Sequence, residues 1–264
     1  MSPPGRPKGE YRRATPEGTP VSTLLKLQGV HTHIGAYHIL HGVDFEVPTG
    51  QVTMLLGRNG AGKTTTLRTI MGLWVASKGS VQFDGQAITG RSTPDIAQLG
   101  IAYVPENMGI FADLSVRENL LLAARNARTV EQMDTQRLEW LFELFPAVKK
   151  FWLYPAGKLS GGQKQMLAIA RAMVEPRRLL LIDEPSKGLA PAIIQNLIAA
   201  LRELKRTQTT VLLVEQNFSM ARALGDQVAV MDNGGVVHRG AMATLADDEE
   251  LQHRLLGLSL GAHQ

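Results

Sequence analysis

A chain of 264 residues, 44% hydrophobic and 20% charged, has ordinary globular composition and enough length for one core, or for a core with a second lobe. The absence of cysteine excludes disulfides, thiolate chemistry and cysteine-bound zinc, and fits a reducing compartment. The net charge of +4 comes without a basic stripe, so nucleic acid is not an expected partner, and no apolar run reaches the roughly eighteen residues needed to span a bilayer.

Residues 1–22 are rich in proline, glycine and charge and lack the apolar centre of a secretory signal, which predicts a disordered tail and a cytoplasmic chain. Strand character follows in TLLKLQGV (23–30) and HILHGVDFEV (38–47), and PTG (48–50) turns the chain into a third run, QVTMLLG (51–57). This buried strand is expected to pass through a glycine-rich loop into a helix from about Gly62 to Met71. SVQFDGQAI (80–88) reads as a hairpin around Asp84-Gly85, and IAYV (101–104) as a short strand before Pro105.

From about Ser92 to Lys158 the pattern is mostly helical. Its clearest piece is TVEQMDTQRLEWLFELFP, where Thr129 and Gln132 have capping-box spacing and Leu138, Leu141, Phe142 and Phe145 form one apolar stripe that Pro146 stops. RLLLID (178–183), TVLLVEQ (210–216) and QVAVMD (227–232) read as buried, parallel-type strands separated by helices, and Asn233-Gly234-Gly235 turns the chain into VVHR. The expectation is an α/β core interrupted by a helical insertion. His31, His33, His38 and His41 cluster without acidic neighbours, and read as polar positions on half-exposed strands rather than as a metal shell.

Residues 57–64, GRNGAGKT, match G-x-x-x-x-G-K-[ST] between a strand and a helix. Gly57, Arg58, Asn59, Gly60, Ala61 and Gly62 form the loop, and backbone N–H groups from Asn59 to Thr65 can wrap phosphates. Lys63 supplies a cation toward the β- and γ-phosphates, and the Thr64 hydroxyl can bind Mg²⁺. In LLLIDEP (179–185) four apolar residues bury a strand, Asp183 emerges at its end to hold Mg²⁺, and Glu184 stands where a carboxylate can polarise an attacking water. Lower in the chain, Gly161-Gly162 open a helix with Ser160 before them and Gln163 after, which is a second anion-binding arrangement.

Taken together, the phosphate loop, LSGGQ (159–163) and LLLIDEP, in that order, resemble the ATP-binding-cassette ATPases of the importer branch, over about residues 23–257. The resemblance implies an α/β P-loop NTPase fold: a RecA-like parallel-sheet core, an antiparallel β subdomain and a helical lobe inserted at about 92–165. It also implies an ATPase domain over 23–258 with a short tail at 259–264, and ATP with Mg²⁺ as cofactors. Two such cassettes pack head to tail, so Ser160, Gly161 and Gly162, with Gln163 beside them, would meet the γ-phosphate held by the partner.

Several positions depart from the common pattern. Glu106 stands where the family usually has glutamine; it can reach Mg²⁺ or its water but donates no hydrogen bond. Gln216 replaces the switch histidine, so it can donate to a γ-phosphate without carrying charge. Ala190 in PSKGLAP replaces an aspartate, and His33, Ile34 and Tyr37 compete for the adenine-stacking place. The "VPE" and "VEQN" forms are similar to one of the two unlike ATPases of branched-chain amino-acid importers. That likeness implies uptake powered through two membrane permeases, with a second ATPase subunit (non-identical, or a homodimer as the alternative) and a separate solute-binding protein. The chain would lie on the inner face of the membrane; residues 107–116, with Met108, Ile110, Phe111 and Leu114, read either as ordinary packing of the helical lobe or, by the resemblance, as a groove for a permease helix. Importers of urea, amides or other small solutes, and a soluble non-transport ATPase, are the alternatives.

Overall fold

The computed structural model describes residues 22–257. The tails expected at 1–22 and 259–264 lie outside the described residues, Ser22 excepted. Strands β1 (Thr23–Ile34) and β2 (Tyr37–Pro48) form a long antiparallel hairpin, and β3 (Val52–Gly57) feeds helix α1 (Lys63–Ile70). Strands β4 (Ala76–Phe83) and β5 (Gln86–Ala87), helix α2 (Thr93–Gln98) and strand β6 (Ile101–Val104) follow. A helical stretch holds α3 (Val116–Ala123), α4 (Thr135–Leu144), α5 (Pro146–Lys150) and α6 (Gly161–Met173). The chain returns through β7 (Leu179–Asp183), α7 (Pro191–Arg206), β8 (Thr210–Val214), α8 (Phe218–Leu224), β9 (Gln227–Asp232), β10 (Gly235–Ala241), α9 (Met242–Asp247) and α10 (Glu249–Leu256).

Two sheets result. The smaller is antiparallel in the order β2-β1-β4-β5; the larger runs β10-β9-β3-β8-β7-β6, parallel apart from the antiparallel edge strand β10. The larger sheet is covered on both faces, so its strands are continuously apolar rather than alternating. Leu180 and Ile182 of β7, with Leu213 of β8, face the helices of the lobe and of α7–α9. Their neighbours Leu179, Leu181 and Leu212 face α1 and the antiparallel sheet. The period-2 alternation of side chains therefore welds two cores onto one sheet.

Two expectations change. The insertion expected from about residue 92 begins after Val104, because Ile101–Val104 finds the open parallel edge of β7, pairing Ile101 with Leu179 and Val104 with Ile182. The Gln132 side chain caps only a short 3₁₀ turn at Val130–Gln132; α4 starts at Thr135, where Asp134 accepts a hydrogen bond from the Arg137 N–H at 3.0 Å. Asp134 offers a charged acceptor next to the first apolar turn, and so wins the cap. Pro146 ends α4 as expected but also opens α5, where its missing N–H costs nothing.

Candidate functional site

Burial of β3 on both faces brings residues 57–64 to the carboxyl edge of the sheet, beside the ends of β7 and β8. The loop needs its glycines. Gly57 has φ 144°, and a Cβ there would stand 2.3 Å from the Met231 carbonyl oxygen; Gly60 (φ 81°) has open space where a Cβ would lie. Lys63 is nearly buried and folds back over the loop, donating to the carbonyls of Gly57 at 2.9 Å and Arg58 at 3.1 Å. Its Nζ lies 3.5 Å from Glu184 Oε1.

Asp183 receives hydrogen bonds from Thr64 Oγ1 and from the Tyr103 hydroxyl, each at 3.1 Å. Burial pushes its carboxyl above the usual aspartate range, and the two hydroxyls pull the other way. Burial, then the neighbouring Asp183 charge, raises the Tyr103 phenol. Glu184 sits in the left-handed region (φ 46°), a conformation of order 1–3 kcal/mol above relaxed backbone for a non-glycine residue. Two backbone bonds hold it there: its N–H donates to the Val214 carbonyl, and the Lys187 N–H donates to its carbonyl. Gln216 Nε2 donates to Glu184 Oε1 at 2.6 Å and to Asn59 Oδ1 at 2.7 Å, which ties the ends of β3, β7 and β8 together.

A pocket of about 330 Å³ opens at this junction, lined by Asn59, Gly60, Gly62, Lys63, Thr64, Thr65, Glu106, Glu184 and Lys187, with Ile39 of the β1–β2 hairpin at one side. Glu106 faces it, but its carboxylate is paired with Lys187 at 2.6 Å. Ser160, Gly161, Gly162 and Gln163 are not among its lining residues. They form the start of α6, where the Ser160 N–H donates to Gln163 Oε1 at 2.9 Å and the Gln163 N–H donates to Ser160 Oγ at 3.4 Å. The first bond of that helix runs from the Lys164 N–H to the Ser160 carbonyl, so the Gly161 and Gly162 amides precede the ladder and are available to an anion. Tyr37 stands 75% exposed at the hairpin tip, paired with Ile34 and two residues before Ile39.

Sequence reasoning missed three members of the site. Tyr103 and Lys187 carry no signal of their own in IAYV and PSKGLAP. Glu215 could have been found: it follows the buried strand TVLLV as Asp183 follows LLLI. It is 1% exposed and accepts from Ser186 N–H (2.9 Å), Ser186 Oγ (2.8 Å), Gln216 N–H (3.1 Å) and Asn217 N–H (3.2 Å). The four imidazoles of His31, His33, His38 and His41 pack on one another face to face or tilted, with His33 and His38 stacked at 4.2 Å, and among the described residues no group of three or more His, Asp or Glu side chains is placed to hold a metal ion.

The sequence model of the ABC transporter family matches residues 40–187, which contain the phosphate loop, LSGGQ and the Asp183-Glu184 pair. The chain belongs to the ABC transporter family. This ABC ATPase is 39% identical, over 89% of its own length and 100% of the relative's, to the high-affinity branched-chain amino acid transport ATP-binding protein BraG of Pseudomonas aeruginosa. It is 35% identical to the probable branched-chain amino acid transport ATP-binding protein LivF of Archaeoglobus fulgidus, over 84% and 93% of the two chains. Among solved structures, the ATP-binding subunit of an ABC transporter overlays with a TM-score of 0.74 at 30% identity, covering 90% of this chain and 96% of that one. The ADP conformation of the ABC transporter cassette MJ1267 overlays with a TM-score of 0.74 at 25% identity, covering 90% and 100%. The parallel core, antiparallel sheet and helical lobe of this cassette are therefore the ABC ATPase fold, and the nucleotide it binds is ATP.

A second concavity of the cassette, about 670 Å³, lies between the two lobes, lined by Leu73, Trp74, Tyr103, Pro105, Met108 and Arg171 among others. Met108 and Ile110 pack partly against the core, whereas Leu73 and Phe111 remain 49% exposed, so ordinary packing accounts for only part of residues 107–116. Arg171 of α6 donates to the Gly109 carbonyl and lies 4.9 Å from the centre of the Phe111 ring, which ties this rim to the helix that LSGGQ opens.

Proposed function

We propose that this chain is the ATP-hydrolysing subunit of an importer for branched-chain amino acids, with its ATPase domain spanning residues 23–258. The observation that carries the chemistry is one pocket lined by Lys63, Thr64 and Glu184, with Asp183 hydrogen-bonded to Thr64 and Gln216 to Glu184 directly behind them. ATP phosphates would lie on the N–H groups of residues 59–65, drawing Lys63 off the Gly57 and Arg58 carbonyls toward the β- and γ-oxygens. Glu184 would accept a proton from the attacking water, and Gln216, keeping its bond to Glu184, would turn the hydrogen it now gives to Asn59 toward the γ-phosphate.

The Thr64 hydroxyl and Asp183 carboxylate are hard oxygen donors 3.1 Å apart, a set that suits Mg²⁺ completed by phosphate and water oxygens. When bound there, the ion would neutralise charge on the β- and γ-phosphates. Glu106, engaged by Lys187, would reach it only through water. Tyr37 is our candidate for the adenine, since it is a bare aromatic on the strand whose Ile39 lines the pocket.

Ser160, Gly161, Gly162 and Gln163 would complete the site of a second ATPase subunit, and that subunit's equivalents would complete this one. ATP then joins the pair and hydrolysis releases it. Closure would reach two permease subunits through a short helix seated in the groove around Met108 and Phe111. Among the described residues no helix is long and apolar enough to cross a membrane, so attachment to the inner face would run through those permeases. A periplasmic or extracellular solute-binding protein would deliver the substrate. The names of the BraG and LivF relatives support the solute class. The test is purification of the tagged chain from its native membranes in mild detergent, followed by reconstitution and uptake of labelled leucine. Co-purifying permeases and ATP-dependent uptake are expected; a purely soluble chain, or a complex that moves no branched-chain amino acid, would overturn the proposal.

A further inference from the structure

Glu106 lies in the turn two residues past β6 and Lys187 in the turn after β7; the two are far apart in sequence yet face the same phosphate pocket. Lys187 Nζ lies 2.6 Å from Glu106 Oε1 and 3.5 Å from Glu184 Oε2. One ammonium thus touches both carboxylates, while Gln216 and Lys63 hold the other oxygen of Glu184. Without Lys187, Glu184 and Glu106 in the lining, with Asp183 just behind Thr64, would meet a triphosphate with Lys63 as the one lysine left in that lining to offset them. An unpaired third carboxylate would repel the ligand the site has to admit.

We infer that Lys187 is a positioning residue for this ATP site: it neutralises Glu106 and orients Glu184, so that a carboxylate is tolerated at the end of β6. The pair also links the loop after β6, which leads into the groove, to the turn that carries Glu184. For ATP binding the lysine therefore matters only while Glu106 is charged; its contact with Glu184, whose other oxygen Gln216 and Lys63 hold, bears on turnover. The companion change Glu106→Gln makes Lys187 dispensable for binding, which a plain structural or phosphate-contacting lysine would not allow.

This inference rests on the reading of the pocket as an ATP site, and the test separates the two. ATP binding by the full-length chain is measured calorimetrically in EDTA, which removes metal binding and hydrolysis from the readout. Lys187→Leu should weaken ATP by roughly fivefold, the upper range for a half-exposed ion pair. Glu106→Gln should bind at least as tightly as wild type, the double variant should match Glu106→Gln, and Lys187→Arg should keep wild-type affinity. A double variant as weak as Lys187→Leu would mean that the lysine acts on the nucleotide itself, and would overturn the inference while leaving the ATP site standing. Unchanged binding by Lys187→Leu would overturn it as well. A wild-type chain that does not bind ATP would overturn both readings.

Discussion

Gly161 and Gly162 are neighbours in one motif, but the structure gives them different duties that substitution with alanine separates. A Cβ on Gly162 would stand 2.3 Å from Ile193 Cγ2 and 3.4 Å from Ile193 Cβ, where α6 crosses the first turn of α7. Isoleucine is branched at Cβ and stiff at χ1, so it cannot swing aside cheaply. The contact is an overpacking of one methyl, costing about 1–3 kcal/mol. At roughly 2–4 °C per kcal/mol for a domain of this size, Gly162→Ala should lower Tm by several degrees. A Cβ on Gly161 would meet only Leu189 Cδ2, at 3.6 Å, an ordinary contact. Gly161→Ala should therefore leave Tm unchanged or raise it slightly, as glycine-to-alanine changes do at compatible helical positions. Its effect falls instead on the exposed helix start, where the methyl would crowd a partner-held phosphate. Thermal melts of the isolated chain and ATPase assays of the assembled complex read the two quantities. Adding Ile193→Ala to Gly162→Ala should remove the steric part of the loss, a coupling visible in a double-mutant cycle. Equal destabilisation by the two alanines, or full turnover with Gly161→Ala, would refute this division of roles.

Three further outcomes follow from the site. Glu215→Ala leaves the Ser186 hydroxyl and the Ser186, Gln216 and Asn217 N–H groups without their acceptor, so urea unfolding should show a loss of about 2–4 kcal/mol at unchanged m. Burial raises the Glu215 pKa above its ordinary 4.5, with its hydrogen bonds opposing, so its contribution is fully present below pH 4.5 and is lost as pH rises through the folded value. Wild type should lose stability relative to Glu215→Gln as pH rises from 4.5, as urea midpoints across pH 4–8 will show. Tyr103→Phe removes the hydroxyl bonded to Asp183 Oδ2, which should push the Asp183 carboxyl further up and raise the Mg²⁺ concentration required for half-maximal turnover, with the melting curve little changed.

Much of the fold is legible in the sequence because burial on both faces writes itself as runs such as QVTMLLG and LLLID, which only a covered parallel sheet accommodates. The phosphate loop is legible for a related reason: its glycines answer geometric demands, such as the Met231 carbonyl packed against Gly57. The edge strand β6 reads as a strand within the stretch expected to form the helical lobe, yet it joins the parallel sheet, since its four residues do not say which open edge will take them. Side chains that act across loops were least visible. Nothing in PSKGLAP announces that Lys187 reaches Glu106, and Tyr103 looks like any strand aromatic until β6 docks beside β7. Those pairings belong to the order of strands in the sheet, which local pattern does not encode.

The most direct test of the central claim is ATP turnover by the complex purified through this chain, with Glu184 intact or changed to Gln. The account predicts a fall of about 10²–10⁴-fold, with ATP retained in the closed pair, because the group that takes the water's proton is gone while the phosphate contacts remain. Undiminished turnover with no retained ATP would contradict it, and would place the hydrolytic base elsewhere.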